Sequence, residues 1–153
     1  MHIEIDDLSG EEIARFLADH LADMQATSPP ESKHALDLEG LRKPEVTFWT
    51  LKDGGGIVGC GALKVLDPTH AEIKSMRTSG AHRGRGVGSQ VLRHLIAEAR
   101  ARGFSRLSLE TGSMEFFAPA RALYVKHGFE YCPPFGDYRE DPNSVFMTLE
   151  LQA

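Results

Sequence analysis

The chain is poor in cysteine. Cys60 and Cys132 are too few for a disulfide framework and lack metal-site spacing, so both read as reduced thiols. It has no apolar run near the ~20 residues that a membrane-spanning helix needs. It has no surplus of positive charge: 17 Lys and Arg against 22 Asp and Glu leave a net charge of −5. That excludes a global electrostatic pull toward nucleic acid or an anionic membrane. The start, "MHIEIDDLSGEE", is acidic where a secretion signal is basic and then apolar, so a cytoplasmic location is expected. His70, His82, His94 and His127 are scattered and form no metal-ligand cluster, and no metal is expected. His70-Ala71-Glu72 has the His-x-Glu of zinc deaminases, but the Pro-Cys-x-x-Cys that must accompany it is missing. No Gly-x-Ser-x-Gly nucleophile elbow occurs.

What is present fits one domain over residues 1–153, long enough to bury a core. "HIEI" (2–5) alternates like a strand. Ser9 and Glu12 have capping-box spacing, and Ile13, Phe16, Leu17, Leu21 and Met24 then mark one helical face. "TSPPES" (27–32) breaks the chain, and "KHALDLEGL" suits a short second helix. "VTFWTL" (46–51), "IVGCGALKVL" (57–66) and "HAEIKSMRT" (70–78) read as an antiparallel meander. Val87, Val91, Leu92, Leu95, Ile96 and Ala99 make an amphipathic helix ending at Gly103. "FSRLSLE" (104–110) is a strand, and Ala120, Leu123 and Tyr124 mark a helix closed by Gly128. "FEYC" and "VFMTLEL" (145–151) complete the sheet, separated by the polar loop "PPFGDYREDPNS". This order predicts a mixed α/β fold. The crossover from 70–78 to 104–110 should be parallel and right-handed.

The stretch "AHRGRGVGSQVLRHL" (81–95) sets Gly84, Gly86 and Gly88 two apart with Arg83 and Arg85 among them, directly before the amphipathic helix. Glycine admits positive φ and close approach of a ligand to the main chain. A helix start adds unpaired N–H groups and the positive end of the helix dipole. Together these suit a phosphate or diphosphate. A dinucleotide loop would need glycine where Ser89 stands, and should follow the first strand rather than the fourth. A Walker loop needs Gly-Lys, and no lysine occurs from 75 to 125.

Arg83-Gly84-Arg85-Gly86-Val87-Gly88 fits Arg/Gln-x-x-Gly-x-Gly/Ala at a strand-to-helix junction. It resembles the pyrophosphate loop of the GCN5-related N-acetyltransferases, the GNAT superfamily. "ARALYVKHGF" (120–129) is similar to that family's Ala-x-x-Leu-Tyr-x-x-x-Gly-Phe helix end, and the element order matches from residue 2 to 151. The resemblance implies the acyl-CoA N-acyltransferase fold: a mostly antiparallel central sheet with splayed fourth and fifth strands and flanking helices. It implies acetyl-CoA as cosubstrate, lying in the splay. Main-chain groups of Met76, Arg77 and Thr78 would hold the pantetheine arm. The amides from Arg83 or Gly84 through Arg85, Gly86, Val87 and Gly88 to Ser89 would hold the diphosphate. A backbone N–H near Met76 would stabilise the oxyanion that forms at the thioester carbonyl.

The resemblance further implies an N-acetyltransferase in which a primary amine attacks acetyl-CoA directly in a ternary complex. Glu72 is the first candidate for general base and Glu110 the second. Tyr124 would be the acid that protonates the leaving thiolate and, with Ala120, would border the cofactor. An asparagine common in the family seven residues before that tyrosine is Phe117 here, within "FFAPA". Phe116 or Phe117 would then pack on the pantetheine or line the acceptor pocket, or serve as plain core. The acceptor, a small amine, amino acid or protein amine, should meet 27–37 and 133–143. Within the latter, Asp137, Tyr138, Arg139, Glu140 and Asp141 form either a clamp or a solvated hairpin. Lys74 and Arg77 share the strand of Glu72 and would attract an acceptor carboxylate. A non-catalytic acyl-CoA sensor remains the alternative, and a homodimer is a possible assembly.

Overall fold

The structure, a computed structural model, describes residues 1–18, 38–79 and 86–151. Its strands are β1 (His2–Ile5), β2 (Val46–Asp53), β3 (Gly56–Asp67), β4 (His70–Thr78), β5 (Arg106–Gly112), β6 (Glu130–Cys132) and β7 (Ser144–Glu150). The described helices are α1 (11–18), α2 (Leu38–Leu41), α3 (Val87–Ala101) and α4 (Ala118–Lys126), the last preceded by a 3-10 turn at Glu115–Phe117. The strands form one sheet in the order β1-β2-β3-β4-β5-β7-β6. Only β4 and β5 run parallel; the other neighbours are antiparallel. The connection from β4 to β5 carries α3, as the pattern of apolar residues predicts.

The sheet buries both faces. On one, Val87, Val91, Leu92, Leu95, Ile96 and Ala99 of α3 pack with Leu63, Ala71, Ile73, Leu107, Leu109 and Met147. Gly59 and Gly61 make this approach possible. A Cβ on Gly59 would lie 2.8 Å from Val87 Cγ1, and one on Gly61 2.9 Å from Leu95 Cδ1. On the other face, Leu8, Ile13, Leu17 and Leu41 cover Phe48, Cys60 and Ala62. Leu21, Met24 and the 27–32 break lie outside the described residues.

Both long helices end as their glycines require. Gly103 (φ +86°) donates to Arg100 O at 3.0 Å while Phe104 N reaches back to Ala99 O at 3.1 Å. Gly128 (φ +98°) and Phe129 repeat this pairing onto Val125 O and Tyr124 O, both at 3.0 Å. The expected capping box does not form. Ser9 Oγ donates to Asp7 Oδ1 at 2.6 Å, and Glu12 Oε2 instead accepts the Ile57 amide at 2.9 Å. Tertiary pairing to β3 outcompetes the local contact. β5 also begins two residues later and runs two residues further than the 104–110 reading, because Gly112 still pairs with Ser144 of β7.

Candidate active site

β4 and β5 pair at four positions, from His70↔Arg106 to Ile73↔Leu109, and then part. Beyond that point, among the described strands, β4 continues its pairing with β3 and Glu110–Gly112 with β7. The fourth and fifth strands are therefore splayed. Just past the divergence the ladder slips: Ala62 faces Lys74 while Cys60 faces Arg77, so β4 carries one extra residue. Ser75 absorbs it at φ +53°, and its carbonyl accepts the Cys60 thiol at 3.2 Å. The bulge resets which face each side chain takes. Ala71 and Ile73 point to α3 before it and Met76 after it, whereas Glu72, Lys74 and Arg77 belong to the opposite face.

α3 starts beside the end of β4. Gly86, at φ +78° and ψ 8°, stands just before Val87, and Gln90 N donating to Gly86 O at 3.0 Å closes the first turn. The amides of Val87, Gly88 and Ser89 therefore precede the first intrahelical bond and point out of the helix start. A Cβ on Gly88 would meet Leu123 Cδ2 at 3.0 Å and Thr78 Oγ1 at 3.5 Å, so β4, α3 and α4 converge tightly here. The Ser89 hydroxyl is engaged by His127 Nε2 at 3.2 Å. Arg83, Gly84 and Arg85 lie outside the described residues.

Glu72 is 3% exposed, so it is not a solvent-facing carboxylate. Tyr138 Oη donates to its Oε2 at 2.6 Å, and Lys74 Nζ lies 3.3 Å from the same oxygen. Lys74 Nζ also donates to Tyr138 Oη at 2.9 Å, closing a triangle. The 133–143 segment is thus not a solvated hairpin: Phe135 and Tyr138 turn inward onto Phe146, while Asp137, Arg139 and Glu140 remain exposed. In the sequence, Lys74 reads as a contact for an acceptor carboxylate and Tyr138 as part of a clamp or a solvated hairpin. The link from Tyr138 to Glu72 spans 66 residues, and its one signal in the sequence is an aromatic residue set among charges in a Pro/Gly loop.

Glu110 sits on the Glu72 face one register step beyond Ser108, opposite Phe146. Tyr124 is buried on α4 with its ring 5.8 Å from Phe129. The helix end explains the contact, since the Phe129 amide folds back to the Tyr124 carbonyl. Burial pushes the Tyr124 hydroxyl pKa upward, and the nearby Glu110 charge adds to this. Burial likewise raises Tyr138, reinforced by the Glu72 charge and hydrogen bond and by Glu110. Both phenols stay protonated through the neutral range and can donate. Burial lowers the His70 pKa, and its Nε2 lies 2.7 Å from Ser108 Oγ.

Phe117 packs so closely against Gly112 that a Cβ there would clash with its ring. Arg121 Nη1 ties that corner by donating to Gly112 O at 2.7 Å and Met114 O at 2.9 Å. Phe116 is 40% exposed, edge-on to Phe117 at 4.9 Å. Ala120 is half-buried against the α3-side core.

Residues 13–129 match the acetyltransferase (GNAT) family model. The chain belongs to that family. It is 60% identical over 151 residues to the Bacillus subtilis (strain 168) protein named "Uncharacterized N-acetyltransferase YsnE", covering 99% of this chain and 100% of that one. It is 49% identical to "Uncharacterized N-acetyltransferase YedL" of Escherichia coli (strain K12), covering 97% and 94%. Among solved structures, a GNAT-family acetyltransferase from Staphylococcus aureus Mu50 superposes with a TM-score of 0.75 at 19% identity, over 99% of this chain and 100% of that one. N-acetylglutamate synthase from Neisseria gonorrhoeae, complexed with coenzyme A and N-acetyl-glutamate, matches with a TM-score of 0.75 at 21% identity, over 100% of this chain and 36% of its own. The chain is a GNAT acetyltransferase, an acyltransferase enzyme of the acyl-CoA class, with the acyl-CoA N-acyltransferase fold.

The residues present fit an acyl-CoA. The part of β4 beyond the β5 ladder is placed to offer main-chain groups to an extended arm, and the left-handed Gly86 opens the helix start to an anion. Among the described residues no group of three or more His, Cys, Asp or Glu could hold a metal ion, and no helix is long and apolar enough to cross a membrane.

Proposed function

We propose that this GNAT enzyme transfers acetyl from acetyl-CoA to a primary amine by direct attack. The observation that carries this reading is the parting of β4 and β5 at Ile73/Leu109, with Glu72, Glu110 and Tyr124 gathered around it. Bound acetyl-CoA supplies an activated thioester; the chain binds it, orients the acceptor and moves protons. Met76, Arg77 and Thr78 would hold the pantetheine, and the amides from Gly84 to Ser89, with Arg83 and Arg85, the diphosphate. The bulge at Ser75 supports a main-chain donor role near Met76, because the register to β3 slips across these residues.

Glu72 would take the proton of the attacking amine. Its burial beside the splay supports this over Glu110, which is half-exposed. Tyr124 would return a proton to the departing thiolate; its raised pKa keeps that proton in place at neutral pH. Phe117, packed closely on Gly112 at the end of β5, would border the cofactor arm or the acceptor. Holding thioester and amine together supplies much of the acceleration.

The test is thiol release from acetyl-CoA with a stated panel: putrescine, L-lysine, benzylamine and a peptide with a free α-amine. Turnover of at least one, with a thermal shift on adding acetyl-CoA, is expected. A shift without turnover of any amine would replace the proposal with acyl-CoA sensing. No shift would remove the assigned cofactor site.

A further inference from the structure

Glu72 is held by two donors, and both converge on Oε2: the Tyr138 hydroxyl at 2.6 Å and the Lys74 ammonium at 3.3 Å. Neither reaches Oε1. A carboxylate gripped at one oxygen cannot rotate freely about its last bond, so the direction of the other oxygen is fixed. Tyr138 is itself fixed: its ring lies 5.2 Å from Phe135 and 5.4 Å from Phe146, and its oxygen accepts from Lys74 at 2.9 Å. The loop after β6 therefore reaches across to β4 and fastens one atom of the candidate base. The Lys74 ammonium, 9% exposed, offsets the charge of a carboxylate only 3% exposed.

We propose that Tyr138 is a positioning residue for acetyl transfer: with Lys74 it locks Oε2 of Glu72 so that Oε1 faces the acceptor. This rests on Glu72 being the base. In the step concerned, an N–H bond of the attacking amine breaks and an O–H bond forms at Oε1, while Oε2 keeps its two donors. Among the described residues, the other charged or titratable groups on the strands around Glu72 are Lys64 across the ladder on β3, His70 and Arg77 on β4, and Arg106 and Glu110 on β5. Of the described side chains, Tyr138 and Lys74 are the ones hydrogen-bonded to its carboxylate. Their hold is charge-assisted, the stronger class of hydrogen bond.

The test is a double-mutant cycle on the full chain with acetyl-CoA and benzylamine, or whichever amine of the panel above turns over. Tyr138→Phe keeps the ring packing and removes the hydroxyl. It should lower kcat about tenfold and leave the KM for acetyl-CoA unchanged. In the Glu72→Gln background, itself strongly impaired, the same change should cost less than about twofold. An equal loss in both backgrounds would overturn the proposal, because Tyr138 would then act independently of Glu72. So would an unchanged kcat with only a raised amine KM or lowered Tm, the mark of simple loop anchoring. Lys74→Met tests the same oxygen from the other donor and should be similarly non-additive with Glu72→Gln. Full activity of Glu72→Gln would show instead that the base assignment failed, and the Tyr138 role would fall with it.

Discussion

Gly86 separates backbone strain from charge at the start of α3. It sits at φ +78°, and a Cβ there would have no atom of the described residues within 4 Å, so a side chain meets open space among them. Gly86→Ala therefore adds only the cost of a left-handed non-glycine residue, about 1–2 kcal/mol. In a chain of this size that lowers Tm by roughly 2–8 °C. Gly86→Asn should cost less, since asparagine tolerates that conformation. Gly86→Glu adds a carboxylate where the diphosphate of acetyl-CoA is proposed to lie. At ~6 Å and an effective dielectric near ~20, one such charge pair repels by about 3 kcal/mol, on the order of a 10²-fold loss of affinity. Titration calorimetry with acetyl-CoA should thus show Gly86→Ala within about tenfold of wild type by strain alone. Gly86→Glu should be weaker by a further factor near 10², partly recovered in high salt. Equal affinities for the Ala and Glu variants would refute an anion site at this helix start, whatever their stabilities.

Other consequences follow from the same geometry. Tyr124→Phe keeps the ring against Phe129 and should lower kcat by roughly 10²-fold while calorimetric binding of acetyl-CoA is unchanged; unchanged kcat would end its acid role. Ser75→Val places a β-branched residue at φ +53° and should cost both stability and turnover, whereas Ser75→Gly should be tolerated; equal melting temperatures for the two would contradict the bulge. Tyr124 and Tyr138 have raised pKa values in the fold, so above about pH 10 the unfolded chain ionises first; stability is full below that pH and should fall above it in denaturant titrations, and less so in Tyr138→Phe. Burial pushes the Cys60 thiol up to about 12, so a thiol reagent should label only the partly exposed Cys132 of the native enzyme, and rapid labelling of both would argue against the buried Cys60.

The elements readable in the sequence are those fixed by local periodicity. The α3 stripe and the alternation of β4 place those elements within two residues of their observed bounds, because burying one face dictates the spacing. Gly103 and Gly128 mark helix ends correctly, since only the residue after the cap needs positive φ. The Ala-x-x-Leu-Tyr-x-x-x-Gly-Phe run carries more than a motif: its glycine turns the chain so that Phe129 meets the ring of Tyr124. What sequence reading missed depends on contacts across many residues. Ser75 gives no hint of positive φ, because serine is ordinary in strands and the slip is forced by pairing with β3. Tyr138 lies among charges that suggest a solvated loop, and only the fold shows that aromatic packing on Phe146 draws it to Glu72. Glu12 likewise spaces as a capping partner but bonds a strand amide instead.

The bulge at Ser75 ties binding and chemistry to one backbone event. Without the extra residue, strict alternation from Glu72 would put Lys74 and Met76 on one face and Ser75 and Arg77 on the other. With it, Met76 joins the α3-side core and Arg77 returns to the face of Glu72 and Lys74. The apolar anchor of the strand is thereby kept against the helix whose first turn is proposed to hold the diphosphate. Its charged residues stay together on the face covered by the Tyr138 loop. The shift occurs two residues after β5 departs, where β4 has lost one neighbour and a distorted ladder breaks fewer hydrogen bonds. The divergence and the bulge therefore go together: the first lowers the cost of the second, and the second shifts the register of Ser75 and Met76 beside the space that the first opens.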